Sequence, residues 1–430
     1  MRRVLIITYY WPPAGSSGVQ RWLKFVKYLR EFGWEPVVYT ANNPEVAALD
    51  ESLSNDIPEG VEVIKRNVPE PYKLYKLITG NRGKKIGVGF TSGTSKNGLL
   101  NRLAIWIRGN FFIPDARMFW IAPSARYLSK YLINNPVDII ITTGPPHSLH
   151  LIGLKLKRRF NIPWIADFRD PWTEIYFYKD LKLTGIADRI NHYLEKKVLK
   201  NSNLNVVVSK SMADAFINIG AKRVEIVSNG FDHSDYHFSA AVDDKFFSIV
   251  HVGTIPPGSN SNSFWGAVSK MAKKNDEFNQ RLRIQFVGEI DSSVVDSLKA
   301  NNLLDKVELI GYKPHSEIPS FQKSAQVLLV LAPRASKEIL TGKIFEYLAA
   351  NRPIIAIGPI GGDLDKLLIE TEAGIMLPSD SQTEIYEGLK WFWDGYKSGW
   401  SSFNPKNINK YSRKELTRRM SELMLELINP

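Results

Sequence analysis

Short, almost continuously apolar runs alternate with amphipathic stretches along the chain. Such runs are typical of parallel strands buried on both faces, and amphipathic stretches between them are typical of helices that cover the sheet. In the first half this pattern predicts strands at Val4–Thr8, Pro36–Thr40, Val61–Arg66, Ile139–Thr142, Trp164–Asp167, Asn205–Val208 and Val224–Val227. It predicts helices at Gly18–Phe32, Ser124–Ile133, Leu149–Phe160 and Ala187–Lys200.

A second series of strands follows. Its predicted members are Phe247–Val252, Arg283–Val287, Val307–Ile310, Val327–Leu331, Pro353–Ile357 and Gly374–Met376. The 430 residues exceed the roughly 250–300 at which one hydrophobic core stops growing. We therefore expect an α/β protein of two doubly wound, Rossmann-like domains, at residues 1–235 and 236–405, with residues 406–430 as a C-terminal helix.

Composition narrows the functional classes. The chain is 44% hydrophobic and 23% charged, which indicates a globular protein, and it has no cysteine, which excludes disulfides and thiolate metal sites. No apolar stretch approaches the roughly 18 residues that a membrane-spanning helix needs. We expect a cytoplasmic protein that is soluble or sits on the inner face of the cell membrane.

The positive charge is unevenly distributed. Formal net charge is +12, and the segment from Pro71 to Pro114 carries Lys and Arg but no Asp or Glu. Its end, from Leu99 to Phe112, is also rich in Leu, Ile, Trp and Phe. The segment suits an anionic partner, either nucleic acid or an acidic membrane surface. A solvated basic loop and an internal helix with basic flanks are the alternatives.

Two carboxylates frame the most informative segment. Glu338 precedes a helix predicted to start near Thr341 or Gly342, and Glu346 lies about one turn inside that helix. The eight positions between them span up to roughly 12 Å if helical, which fits opposite ends of an elongated ligand. The helix N-terminus, with Gly342 and Lys343, offers N–H groups and positive charge to a diphosphate.

A glycine-containing loop follows the first strand. Gly15, Ser17 and Gly18 lie between that strand and the next helix, where glycine allows the backbone to approach a ligand. A structural turn is the alternative. The spacing does not match Gly-x-Gly-x-x-Gly, which argues against a dinucleotide-dependent dehydrogenase.

The string Gly342-Lys-Ile-Phe-Glu346-Tyr-Leu-Ala-Ala-Asn-Arg-Pro353, with Glu338 eight positions before Glu346, resembles the donor-binding signature of glycosyltransferase family 4. That family comprises retaining enzymes of the GT-B fold, some of which act in bacterial surface polysaccharide synthesis. The resemblance implies that Glu346 binds the ribose of a nucleotide-sugar and that Glu338 lies near the sugar and phosphates.

Other segments resemble the same family. The loop with Gly15, Ser17 and Gly18 looks like the one that faces the donor, and Asn229-Gly-Phe-Asp232 looks like the element that closes the first domain. By resemblance, the base- and phosphate-contacting loops contain Gly253, Thr254, Glu289 and Tyr312. The amphipathic C-terminal helix, with Leu416, Met420, Leu423 and Leu427 on one stripe, resembles the helix that returns to the first domain.

Two loops of the first domain are candidates for the reaction centre. One contains His147 and the next contains Asp167 and Arg169, and both follow neighbouring strands. Similar enzymes use such loops to contact sugar and acceptor, so we predict catalytic roles for His147 and Asp167 and a donor contact for Arg169. A helix cap or a solvent-exposed group is the alternative for His147.

The chain departs from the family in one loop. The family usually carries an Arg and a Lys after the first strand of the second domain, whereas this loop, Gly253 to Asn262, has neither. Lys343, Lys337, Arg334 and Arg169 are the candidates to bind the diphosphate instead. No metal-ligand spacing stands out, because His233 and His237 lie in a polar linker, so we expect no metal and no cofactor.

We therefore predict a retaining, metal-independent glycosyltransferase. It would move a hexose-type unit from a nucleotide-sugar to a hydroxyl of a glycan acceptor, which the basic, apolar segment suggests is lipid-linked. Two alternatives stay open: a nucleotide-sugar epimerase of the same fold, and a basic nucleic-acid-binding protein, which would leave Glu338 and Glu346 unexplained.

Overall fold

The structure, a computed structural model, describes residues 1–15, 17–46, 49–69, 99–175, 178–238, 243–256, 258–332, 340–400 and 403–429. The chain forms two compact units, which are described separately. The first comprises Met1–Ser228 and Lys414–Pro430, and the second comprises Asn229–Arg413. The chain thus leaves the first unit after residue 228 and re-enters it after residue 413.

The first unit is built on a parallel sheet of seven strands in the order β3-β2-β1-β4-β5-β6-β7. The strands are β1 (Arg2–Ile7), β2 (Trp34–Ala41), β3 (Glu62–Arg66), β4 (Ile139–Gly144), β5 (Trp164–Phe168), β6 (Leu204–Val207) and β7 (Val224–Ile226). Its helices are α1 (Ser17–Leu29), α2 (Leu99–Phe111), α3 (Ile121–Asn134), α4 (Ser148–Phe160), α5 (Gly185–Asn201) and α6 (Lys210–Ile219).

The second unit holds a parallel sheet of six strands in the order β10-β9-β8-β11-β12-β13. The strands are β8 (Phe247–Val252), β9 (Leu282–Val287), β10 (Val307–Leu309), β11 (Val327–Leu331), β12 (Ile354–Gly358) and β13 (Gly374–Pro378). The helices are α7 (Asn262–Lys274), α8 (Asp276–Arg281), α9 (Ser292–Ala300), α10 (Ile318–Ser324), α11 (Gly342–Ala350), α12 (Asp363–Thr371) and α13 (Gln382–Lys397).

The last helix, α14 (Arg413–Ile428), packs into the core of the first unit. Its buried stripe includes Leu416, Met420 and Leu423, and Trp34 donates its indole N–H to Ser421 Oγ at 3.0 Å. The apolar side chains of α14 bury against the same layer as those of α1, which removes their surface from water. The predicted return of this helix to the first unit is confirmed.

The predicted α/β fold is confirmed, and each predicted strand is present with ends shifted by at most two residues. The central strands β1, β4, β8 and β11 are buried along most of their length, as continuous apolar runs require. One helix start was misplaced, because α3 begins at Ile121 rather than Ser124. Pro123 lies in its first turn, where a missing N–H costs no hydrogen bond.

The structure covers only part of the basic segment between Pro71 and Pro114. Helix α2 lies in that segment, while residues 70–98 and the side chain of Arg102 lie outside the described part. None of the described helices is long and apolar enough to span a bilayer.

Candidate functional site

In the second unit, most of the predicted donor-binding residues follow the carboxyl ends of parallel strands. Gly253 and Thr254 follow β8, and Glu289 follows β9, where the backbones of the two loops pack together. A Cβ at Gly288, whose φ is +128°, would lie 2.7 Å from the Gly253 carbonyl oxygen, so this close approach requires glycine. Thr254 and Glu289 are exposed, as is Tyr312 after β10.

Lys343 reaches the loop after β8 from the first turn of α11. Its ammonium lies 3.3 Å from the Thr254 carbonyl oxygen and 3.1 Å from the position that a Cβ on Gly253 would take. Burial lowers the pKa of Lys343 to about 8, against a smaller opposing effect of Glu346. The Lys343 amine therefore lies against the loop after β8, which lacks the Arg and Lys expected there from the family resemblance. It is also next to the N–H groups at the start of α11.

Glu346 lies one turn further along α11, and three groups favour its ionised form. Its Oε2 accepts a hydrogen bond of 3.2 Å from Gln322, and its Oε1 lies 3.7 Å from His315 Nε2. Burial opposes ionisation, but His315, Gln322 and the charge of Arg413 outweigh it and lower the pKa of Glu346. A quarter of this side chain is exposed, so the charged carboxylate can accept hydrogen bonds from a ligand.

Glu338, the other predicted carboxylate, lies outside the described residues, together with Lys337 and Arg334. Gly342 opens α11, and a Cβ there would meet no atom of the described residues within 4 Å. Within the second unit, the structure thus brings together Gly253, Thr254, Lys343 and, one helical turn away, Glu346.

In the first unit, Arg169 connects three loops at the carboxyl end of the sheet. Its guanidinium donates to the Gly18 carbonyl at 2.6 Å, to the Gly144 carbonyl at 3.3 Å and to the Pro145 carbonyl. A Cβ on Gly18 would lie 2.5 Å from Arg169 Nη1, so this glycine makes room for the arginine. The observed contacts of Arg169 and Gly18 are therefore contacts within the protein, and they hold the loops of this unit together.

The rest of the glycine-containing loop is less informative. Gly15 is half-buried, and Ser17 starts α1, although its side chain lies outside the described part. The loop is held near its start, where Ala14 pairs with Leu49 and the Pro13 carbonyl accepts from the N–H of Asp50.

Asp167 is fully buried in an ion pair with Arg21 of α1. Arg21 approaches the carboxylate to 2.7 Å, and the two side chains are 1% and 0% exposed. The same carboxylate accepts from Trp22 Nε1 at 2.8 Å and from Thr143 Oγ1 at 2.9 Å. This carboxylate is therefore surrounded by donors of its own unit.

His147 is also enclosed. Its ring stacks on Trp172 at 4.9 Å between centroids and is 9% exposed. Burial first, then the neighbouring His150 and Arg169, holds the pKa of His147 well below its ordinary value, so the ring is neutral. Its Nδ1 and the Nε2 of His150 both point toward the α-carbon of Gly144, since a Cβ there would lie 2.9 and 2.6 Å from them.

Three contributors to the site were not predicted from the sequence: His251, His315 and Gln322. His251 lies two residues before Gly253, so the alternation of side chains along β8 was the one signal that could have placed it in the layer of α11. Gln322 is fully buried, and the Tyr236 hydroxyl donates to its Oε1 at 2.5 Å. The sequence around His315 and Gln322 contains no pattern that predicts their contacts with Glu346.

Comparison with known proteins places both halves of the chain among glycosyltransferase domains. Residues 89–235 match the family model described as Glycosyltransferase Family 4, and residues 247–394 match the one described as Glycosyl transferases group 1. A search of curated protein sequences gave no match.

Solved structures similar to this chain include sucrose-phosphate synthase from Thermosynechococcus elongatus, with a TM-score of 0.66 at 14% identity over 99% of each chain. Anabaena HepE, solved with UDP-glucose, has a TM-score of 0.62 at 12% identity over 99% of this chain and 100% of its own. UDP-GlcNAc 2-epimerase from Methanocaldococcus jannaschii has a TM-score of 0.51 at 12% identity over 99% of each chain. These likenesses show the GT-B fold.

Proposed function

We propose that this GT-B protein, with glycosyltransferase domains in both halves, is a retaining glycosyltransferase that transfers a hexose-type unit from a nucleotide-sugar to a hydroxyl of a glycan. The observation that carries the proposal is the arrangement on the first turns of α11, where Lys343 and the ionised Glu346 flank one face at the carboxyl end of the sheet. Ligands of open parallel sheets bind at that end.

In this proposal the two groups bind different parts of the donor. Glu346 accepts hydrogen bonds from the ribose hydroxyls, and Lys343 with the first N–H groups of α11 binds the diphosphate. The partly exposed Glu346 and the space that the described residues leave around Gly342 support this orientation. Exposed Tyr312 and Glu289 stand on the neighbouring loops, as expected for contacts to the base.

The same groups serve the transfer step. The bond between the sugar carbon and the diphosphate oxygen breaks, and its electron pair leaves with the diphosphate. The acceptor oxygen forms the new bond to the sugar carbon, and its hydroxyl proton passes to the departing diphosphate. A fixed ammonium and a helix N-terminus stabilise the negative charge that develops on the leaving group. We therefore propose that the reaction needs no divalent ion.

For Asp167 and Arg169, the contacts support positioning roles. Asp167 pairs with Arg21, and Arg169 ties together the loops that follow β1, β4 and β5. The catalytic role of His147 stays a prediction, as does that of Glu338.

We further propose that the acceptor is lipid-linked and that the first unit sits on the cytoplasmic face of an anionic membrane. Helix α2 exposes Leu103, Trp106 and Phe111, which are 52%, 37% and 64% exposed. It contacts α5, which exposes Ile186 at 71%. Exposed apolar side chains in a segment without acidic residues support binding to anionic lipid.

The donor can be identified by thermal shift of the full chain with UDP-, GDP- and ADP-sugars. We expect one nucleotide series to stabilise the protein, because a ligand that binds only the folded state raises its melting temperature. Transfer of labelled sugar from that donor to a membrane lipid extract should follow. Absence of any shift, combined with salt-dependent binding to DNA or RNA, would overturn the proposal.

The likeness to an epimerase structure supports a second candidate, a nucleotide-sugar epimerase. Incubation with the bound nucleotide-sugar and no acceptor distinguishes the two. An epimerase converts its substrate to an isomeric nucleotide-sugar, whereas a transferase leaves it intact or releases nucleoside diphosphate slowly.

A further inference from the structure

A buried histidine lies directly beneath the ammonium of Lys343. His251 is on β8, its side chain is 1% exposed, and its Nδ1 lies 2.9 Å from the Leu329 carbonyl oxygen on β11. A carbonyl oxygen can only accept, so Nδ1 carries the proton. In a neutral ring the other nitrogen, Nε2, then presents a lone pair.

That lone pair faces Lys343. The distance from His251 Nε2 to Lys343 Nζ is 3.1 Å, and the ammonium also donates to the Thr254 carbonyl at 3.3 Å. An ammonium has three N–H donors. Among the residues that the structure describes, no acceptor takes the third, which leaves it for a ligand at the start of α11.

We propose that His251 is a positioning residue of the diphosphate site: its neutral imidazole holds the Lys343 ammonium at the Gly253 loop without cancelling the positive charge. This inference rests on the proposed function, because it takes a nucleoside diphosphate as the ligand of Lys343. The role proposed for His251 also explains how the diphosphate could be bound although the loop after β8 lacks the Arg and Lys that the family usually carries there.

The choice of a neutral acceptor has a physical reason. A carboxylate in place of His251 would fix the lysine equally well, but its charge would offset that of the ammonium and compete with the phosphates. An apolar side chain would leave a half-buried ammonium short of an acceptor and its long side chain unconstrained. An imidazole with one proton supplies an acceptor and keeps the net charge of the pair at one.

Burial and the Lys343 charge keep the ring neutral. The carbonyl groups of Leu329, Gly253 and Thr254 also face His251 and favour its protonated form, but each has a smaller effect than burial or the Lys343 ammonium. Burial first, and then this ammonium, holds the pKa of His251 well below its ordinary value. Glu346 is the acidic group that acts on Lys343. The Tyr347 hydroxyl accepts from the N–H of Val252 at 2.8 Å.

The test is calorimetric titration of the full-length protein with UDP, GDP and ADP, continued with whichever binds most tightly. The variants are His251→Leu, which removes the acceptor, His251→Gln, which keeps one, Lys343→Ala, and the double variant His251→Leu/Lys343→Ala. His192→Leu, on the exposed face of α5, makes the same exchange in the other unit and serves as the control. Melting temperatures without ligand show whether each variant folds.

We expect His251→Leu to weaken binding about tenfold, His251→Gln about threefold or less, and His192→Leu not at all. The double variant should bind no more weakly than Lys343→Ala, because His251 acts only through the lysine. In His251→Leu the loss of affinity with rising pH should also begin at lower pH, since the charged amine has lost an acceptor. A general loss of packing would weaken binding without shifting the pH at which affinity begins to fall.

Four results would overturn the inference. One is unchanged affinity in a folded His251→Leu protein. Another is a His251→Leu exchange that weakens binding by the same factor in the wild-type protein and in Lys343→Ala. If His251→Leu does not fold, the pH profile of His251→Gln decides, and a profile identical to wild type in spite of weaker binding would refute the role. Wild-type protein that binds no nucleoside diphosphate would refute the proposed function, and this inference with it.

Discussion

Replacing Asp167 by Asn separates a positioning role from a catalytic one. The amide has the same size, but it removes the negative charge beside Arg21, which is 1% exposed and approaches the carboxylate to 2.7 Å. It also turns an N–H₂ group toward donors, because Trp22 and Thr143 both donate to the same carboxylate. The guanidinium would then be a buried charge without its counterion.

The expected cost is large. Removing one partner of a buried ion pair destabilises a protein by about 3–5 kcal/mol. At about 2–4 °C per kcal/mol for a domain of this size, the melting temperature should fall by about 6–20 °C. Calorimetry of the full-length variant measures it. Asp170→Asn is the matched control, because this exposed carboxylate lies three residues after Asp167, just beyond the end of β5, and its loss should change stability by less than about 0.5 kcal/mol.

A double variant tests whether the loss of stability comes from the unpaired charge of Arg21. Arg21→Met with Asp167→Leu removes both charges, so it should be more stable than Asp167→Asn alone. Recovery should be incomplete, because Arg21 also donates to the carbonyls of Val227 and Ser228, each at 2.8 Å. An Asp167→Asn protein that melts within about 2 °C of wild type but transfers no sugar would refute this reasoning and favour a catalytic Asp167.

Replacing Glu346 by Ala should weaken nucleoside diphosphate binding by about 1–3 kcal/mol, because the ribose hydroxyls lose a charged acceptor. Unchanged affinity by calorimetry would contradict the ribose assignment. Because burial lowers the pKa of Lys343 to about 8, its charge is present below that pH and lost above it. Affinity should therefore fall between about pH 7.5 and 9.5, and a flat profile would argue against a lysine-bound diphosphate. Sugar transfer should continue in excess EDTA, since an ammonium and a helix N-terminus bind the leaving group. Complete loss of turnover that magnesium or manganese restores would contradict this. The full-length protein should co-sediment with anionic vesicles at low salt and less at physiological salt, and failure to bind at low salt would remove the support for a membrane-bound acceptor. Gln substitutions that should abolish this binding but preserve nucleotide binding are at Lys84, Lys85, Arg102 and Arg108.

The fold was predictable from the sequence because its signal is local. Strands buried on both faces must be apolar along their length, so runs such as Val327–Leu331 mark a central strand without knowledge of its neighbours. The start of α11 was predictable for a similar reason, since Gly342 follows a loop and opens an amphipathic run. Lys343 and Glu346 could be placed on that helix by counting residues.

The partners of the polar side chains were decided by the tertiary structure. Arg21 and Asp167 are 146 positions apart, and His251 and Lys343 are 92 apart. The order of strands in a parallel sheet decides which loops meet at its edge, and a strand's own residues do not encode that order. A carboxylate after a strand therefore looks the same in the sequence whether a ligand or a buried arginine will face it. The sequence alone determined where such groups stand along the chain, and the packing of α1 against the sheet decided that Asp167 belongs to Arg21.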